Sequence, residues 1–390
     1  MVMHRLVAPL LLVVGAAVAQ DDPNRLRERA TSLVGMARYA EAEPLLSRAL
    51  ETLEKDDGPE NPALAGVIGE LAAVCRAQGK NPEAERLYLR ALALRSDAFG
   101  SDSPDLIRDL KLLGGLYVSM GRPADAEKQY MRAVSIRISA KGTEDPDLAK
   151  DCTELASFYI SQKRYAVAEP NLRRAIEILS KRNGPEDVSL IPVLDSLATV
   201  FIEQKNYPPA EAPLRHAVSI AESANGPSHA SVAPRLDRLA MLFYLEKRYA
   251  DAEPFYKRSL AIWETVMGPN NPDLATTLEN LAVVYAAQDN FEDAEPLYRR
   301  AVALREQTAI ASINNLAMVI EGKGHDLAAE RHYRVAVGLA DKMPVVAGSD
   351  NDLLAKTLQN YAALLRKLNR EAEAKKMEAR AKALVKSDKP

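Results

Sequence analysis

At 390 residues, with 47% apolar and 27% charged side chains, the chain is too apolar for wholesale disorder and too long for one compact core. Several domains or a repeat array are the organisations that such a length allows. The net charge of −3 supplies neither a basic footprint for nucleic acid nor a polybasic patch for a membrane surface, while abundant Ala and Leu beside 5% aromatics favour helices.

The first element reads as a targeting segment. His4 and Arg5 precede an apolar run from Leu6 to Val18, and Ala17-Val18-Ala19 places small residues where a signal peptidase reads. Residues 1–19 are therefore expected to form a secretory signal cleaved after Ala19, because the run is shorter than the roughly 20 apolar residues of a spanning helix. The expected location is exported, periplasmic or extracellular. Tethering to a membrane by an uncleaved signal is the alternative. No second apolar run of spanning length follows, so no membrane insertion is expected once the signal is removed.

Residues 20–57 read as a capping helix pair, with Arg29 where later repeats carry Leu. From there the chain repeats itself. Gly58, Gly100, Gly142, Gly184, Gly226 and Gly268 stand 42 residues apart. Leu71, Leu113, Leu155, Leu197, Leu239 and Leu281 keep the same step, as do Ala42, Ala84, Ala126, Ala168, Ala210, Ala252 and Ala294, each followed by Glu. Arg48, Arg90, Arg132, Arg174, Arg258 and Arg300 form another column, with His216 in its gap. A fixed step of this size is the mark of a repeat architecture. Residues 58–307 hold six such repeats.

Each repeat divides into two helices. In the clearest one, Leu278, Leu281, Ala282 and Tyr285 lie on one helical face, and Ala294, Leu297, Tyr298, Ala301 and Val302 lie on another. The polar turn Gln288-Asp289-Asn290 separates helix A, about Asp273–Gln288, from helix B, about Phe291–Gln307. Asn271-Pro272, Ser103-Pro104 and Asp145-Pro146 are N-terminal caps with Pro in the first turn. Gly268-Pro269, Gly184-Pro185 and Gly226-Pro227 end the preceding helices. The Ala columns let backbones approach, Leu and Tyr fill the grooves beside them, and stacking of neighbours buries what one pair cannot bury alone.

Leu278, Leu281, Ala282, Tyr285, Ala294, Tyr298 and Ala301 resemble the tetratricopeptide (TPR) signature in type and spacing, and the 42-residue step is similar to that of kinesin-light-chain-like repeats. The resemblance implies an all-α fold, a right-handed superhelical solenoid of antiparallel helix pairs. It also implies that helix A lines a concave groove for an extended peptide or a partner helix. Residues 308–386 form two irregular pairs of the same type, including a charged C-terminal cap, with a loop around Met343–Asp350. Residues 387–390 read as a disordered tail.

The residues that could carry chemistry read as packing residues. His216, His229, His325 and His332 form no HExxH pattern, and Gly322-Lys323-Gly324 lacks the spacing of a phosphate loop. Cys75 stands in the column of Tyr117, Tyr159, Phe201, Phe243 and Tyr285, and Cys152 in that of Leu110, Leu194, Leu236 and Leu278, so both read as free, buried thiols. Glu169–Arg173, Glu211–Arg215, Glu253–Lys257 and Glu295–Arg299 read as i, i+4 pairs on a solvated face. No catalysis, metal or cofactor is expected.

The expected partner is a protein or peptide held in the groove, and self-association is left open. Asn280, Asn315 and Asn360 recur before the Leu/Tyr-Ala pair of helix A, and Asn is a poor helix former. The resemblance implies that their amides bind a peptide backbone. Arg238, Met241 and Tyr244 are read as a charged and an apolar wall beside them. The other reading of these amides is a bond to a neighbouring helix or to water. The function expected is an exported scaffold. The alternative is a structural or assembly component of an envelope complex.

Overall fold

The computed structural model describes residues 22–304, 310–341 and 349–387. The expected signal Met1–Ala19, Gln307 and the joint around it, most of the loop expected at Met343–Asp350, and the tail beyond Ser387 lie outside the described residues. Among the described residues the secondary structure is helical throughout, without a strand. The chain divides into two compact units, residues 1–185 and 186–390.

In the first unit, four antiparallel pairs follow one another: α1 (Pro23–Gly35) with α2 (Tyr39–Asp57), α3 (Ala65–Ala77) with α4 (Asn81–Phe99), α5 (Ile107–Ser119) with α6 (Pro123–Lys141), and α7 (Pro146–Ser161) with α8 (Tyr165–Asn183). The second unit holds five: α9 (Ile191–Glu203) with α10 (Glu211–Asn225), α11 (Ala233–Leu245) with α12 (Tyr249–Met267), α13 (Leu274–Ala286) with α14 (Phe291–Leu304), α15 (Ile310–Gly322) with α16 (Asp326–Ala340), and α17 (Ser349–Lys367) with α18 (Glu371–Ser387).

The joints follow the cap chemistry. Asn61, Ser103, Asp145, Asp187 and Asn271 each accept a hydrogen bond from the backbone N–H two residues on. A turn of 3-10 helix, Pro104–Leu106, intervenes before α5, whereas α7 starts directly at Pro146. The glycine column adopts φ between 82° and 95°, the region that penalises a Cβ. Each A–B turn also holds one residue at positive φ. It is Gly79 or Gly121 in two turns, but Lys163, Lys205, Lys247 and Asp289 in others.

Packing gives the columns their meaning. Ala42, Ala84, Ala126 and Ala168 are fully buried in the first unit, as are Ala210, Ala252 and Ala294 in the second. Gly114 belongs to a second small column, held otherwise by Ala72 and Ala156, and a Cβ there would lie 3.0 Å from the Tyr130 ring. Leu113 and Leu116 are at most 1% exposed, each worth about 1.5–3 kcal/mol of apolar burial. The first unit also buries charge between pairs. Asp109 meets Arg95, and Asp151 meets both Arg137 and Lys111.

Candidate functional site

The repeated Glu after each buried Ala does more than the i, i+4 pairing expected of it. Glu169–Arg173, Glu211–Arg215, Glu253–Lys257 and Glu295–Arg299 all form. The same column also crosses to the next pair. In the first unit Glu43 accepts from Lys80, Glu85 from Arg122 and Glu127 from Arg164. In the second, Glu211 accepts from Arg248 and Glu295 from Lys323. Hydrogen bonds from Lys80, Arg164 and Lys323 hold the carboxyls of Glu43, Glu127 and Glu295 below the usual range. The arginines also lie over the aromatic column, Arg122 on Tyr117 at 4.4 Å and Arg248 on Phe243 at 4.4 Å.

The Arg column is likewise structural. Arg90, Arg132, Arg258 and Arg300 donate to the carbonyls of Pro59, Ser101, Pro227 and Pro269, the residues just after the positive-φ glycines. These clamps fix the loops that precede α3, α5, α11 and α13. His216, in the same column, faces Glu186 at 3.4 Å.

Within each unit these joints hold the first helices in place. In the second unit, Arg238, Met241 and Tyr244 stand on α11, Asn280 on α13, Asn315 on α15 and Asn360 on α17. Arg238 turns back to α9, donating to the Asp195 carbonyl at 2.8 Å and the Thr199 hydroxyl at 2.6 Å. Met241 is 42% exposed, and Tyr244 packs on Tyr249 with ring centroids 5.5 Å apart.

Asn315 and Asn360 meet through a residue that the repeat pattern did not single out. Buried Asn314 donates to Asn315 Oδ1 at 3.3 Å and accepts from Asn360 Nδ2 at 3.1 Å. Asn360 also approaches Met318 Sδ at 3.3 Å. This amide chain joins α15 to α17, the neighbouring-helix bond that was one of the two readings of these positions. An open groove beside it is lined by Met318, Glu321, Tyr333, Asn360 and Lys367. Only the adjacency of Asn314 to Asn315 in the sequence signalled the link.

The two cysteines are part of the packing. Cys75 and Cys152 are free and buried, and burial pushes both thiols up to about 11. Donor atoms of Glu43, Cys75 and Glu83 lie within 4.8 Å of one another, yet Glu43 is engaged by the Lys80 ammonium and by Gln78. His229 faces Ser231, and His325 precedes the first turn of α16. Among the described residues, no helix is long and apolar enough to cross a membrane.

Comparison with known proteins agrees with this architecture. The RapI apo structure is 14% identical, covers 94% of this chain and 98% of its own, and superposes with a TM-score of 0.58. The C-terminal part of a TPR repeat-containing protein from Cytophaga hutchinsonii is 15% identical over 73% of this chain and 98% of its own, with a TM-score of 0.53. Repeats of a putative kinesin light chain from Podosopora anserina are 20% identical, over 53% of this chain and 97% of their own, at 0.47. The first two likenesses show the fold. No curated protein matches the chain. The family described as tetratricopeptide repeat matches residues 65–139, 150–223 and 232–307, more than half of the sequence. With its paired helices, buried Ala columns and 42-residue step, the chain belongs to the tetratricopeptide repeat family.

Proposed function

We propose that this protein is an exported, non-catalytic scaffold that holds an extended polypeptide on the face of its first helices. Tetratricopeptide arrays typically serve protein–protein interaction, since stacked repeats leave an extended surface for a partner. One observation carries the reading to this face. On the first helices Met241 and Met318 stand exposed beside the half-buried amides of Asn280, Asn315 and Asn360, while four arginines of the Arg column are taken by loop clamps. Export rests on the sequence of Met1–Ala19 alone.

A column of immobilised protein lacking residues 1–19, washed with extract of its native source, tests the reading. Retention of defined polypeptides by the wild type, lost from an Asn280→Ala/Asn315→Ala variant, is the expected result. No retained polypeptide would contradict it.

A second reading is assembly through copies of the chain. Leu327 and Val335, 67% and 51% exposed on α16, favour it. Concentration-dependent light scattering that persists in the double Asn variant would support this role over the first.

A further inference from the structure

We propose that Glu43, Cys75 and Glu83 form a zinc site that staples the first helix pair to the second. One ligand stands on each of α2, α3 and α4, and one donor atom from each lies within 4.8 Å of the other two.

This joint departs from its neighbours at one position. At the two following joints of the unit, a tyrosine lies under the cation that the column glutamate binds, Tyr117 under Arg122 and Tyr159 under Arg164. The Tyr159 hydroxyl also donates to Glu127 at 3.0 Å. Cys75 takes the place of the ring at the first joint, so a thiol faces Glu43 where its neighbours carry a phenol. The thiol is 1% exposed and has no hydrogen-bond or disulfide partner among the described residues. Its sulfur lies beside two carboxylates, a polar setting for a side chain that would otherwise serve as a small hydrophobe. Cys152 belongs to no such group among the described residues.

The three ligands are graded in burial. Cys75 is the buried floor, Glu43 is half-buried, and Glu83 is exposed at the mouth, where it can swing onto an ion arriving from solvent. Zinc takes sulfur at about 2.3 Å and carboxylate oxygen at about 2.0–2.2 Å, which sets tetrahedral donors about 3.5 Å apart. An inward swing of Glu83 by about 1 Å closes the set, and water takes the fourth position. Because the ligands come from three helices, no short sequence motif announces them.

The Lys80 ammonium now bonds both oxygens of Glu43, at 2.7 and 2.6 Å. Its side chain is 44% exposed, and an ion pair so exposed contributes little, so a divalent cation displaces it. Glu83 meets Arg86 at 3.6 Å in a pair that is more exposed still. Gln78 donates to Glu43 Oε2 at 2.7 Å and orients that carboxylate as an outer partner of the ligand. On binding, the S–H bond breaks, an S–Zn bond forms and the proton goes to solvent. Thiolate, two carboxylates, the divalent ion and the nearby Lys80 ammonium then sum to zero charge. The thiolate selects zinc over magnesium or calcium, which prefer oxygen ligands alone.

Titration of the full chain with zinc alone, under reducing conditions and in competition with a chromophoric chelator, tests the site. One tightly bound zinc per chain is expected. Cys75→Ser and Glu83→Gln should each weaken it about tenfold or more, Cys152→Ser should leave it unchanged, and Lys80→Ala should tighten it. Zinc should raise the melting temperature of the wild type and not that of Cys75→Ser. Cobalt(II) in place of zinc should give a thiolate-to-cobalt absorption band in the wild type and in Cys152→Ser, and none in Cys75→Ser. Excess magnesium should displace neither ion. Circular dichroism checks that the variants fold, and Glu83→Gln, at an exposed position, keeps the test decisive if the buried substitution unfolds the chain. No thiolate band in the wild type, a zinc affinity unmoved by Cys75→Ser or by Glu83→Gln, or a band lost in Cys152→Ser would overturn the proposal.

Discussion

Glu85 accepts a 2.8 Å hydrogen bond from Arg122, thirty-seven residues further along the chain, while the Arg122 guanidinium lies 4.4 Å over the ring of Tyr117. The carboxylate belongs to the second helix of one pair, and the arginine and tyrosine to the next pair. This contact ties neighbours together where a single pair cannot stand alone. Arg122→Ala should lower the urea midpoint of the protein, and Arg122→Lys should recover only part of it, because an ammonium lacks the plane that stacks on Tyr117. A double-mutant cycle with Glu85→Ala checks the coupling, which should shrink as salt is added.

Buried pairs should matter more. Asp109 is 2% exposed and faces Arg95 from the adjoining pair. Asp109→Ala strands a guanidinium whose side chain is only 18% exposed and should cost about 2–3 kcal/mol in chemical denaturation. Replacing both partners together, Asp109→Leu with Arg95→Met, should recover most of that loss. Equal losses in the single and double variants would show that the pair is not coupled.

The A–B turns allow a test in both directions. Lys247 sits at φ 60° and Lys163 at φ 57°, where Gly121 in the equivalent turn sits at φ 68°. Lys247→Gly and Lys163→Gly should each stabilise by about 0.5–1 kcal/mol, because glycine pays no Cβ penalty in this region. Gly121→Ala should destabilise by about 1 kcal/mol. Thermal melts of the three variants would decide it.

Asp237 gives a pH signature of unusual sign for a carboxylate. Burial pushes its carboxyl up to about 6, against the opposing pull of Ser259 and Trp263, and its Oδ1 is buried without a partner. The folded state thus keeps its proton between about pH 4 and pH 6 while the unfolded chain releases it. This group's contribution is fully present below about pH 4 and is lost as pH rises through about 6. Asp237→Asn should therefore stabilise the protein by about 1–3 kcal/mol at pH 7.5 and by almost nothing at pH 4. Glu43, Glu127 and Glu295, whose carboxyls are held low, act with the opposite sign, so the wild-type minus variant difference isolates Asp237. Trp263, the only tryptophan, should show a fluorescence inflection near pH 6 that the variant lacks.

The helix pairs were legible because their causes are local or periodic. Gly58 and its column announce a positive φ, Asn61 and Ser103 announce caps, and the Ala and Leu steps announce stacking. The duties of the Arg and Glu columns were less legible. Arg90 bonds a carbonyl thirty-one residues back, and Glu85 bonds an arginine thirty-seven residues ahead. A column shows that a side chain recurs, but its partner across a joint is fixed only when neighbouring pairs pack. The same limit applied to the candidate site. Asn315 and Asn360 share a register, yet their link runs through Asn314, on a different helical face from the column.

The central claim is that a polypeptide lies along the first helices. Photo-crosslinking from a benzoylphenylalanine placed at Met241, on that face, compared with one at Val335 on a second helix, tests it most directly in native extract. Discrete polypeptide adducts from position 241, absent from position 335 and from the Asn280→Ala/Asn315→Ala background, are the predicted outcome. Adducts formed equally from both positions, or from 335 alone, would contradict the account.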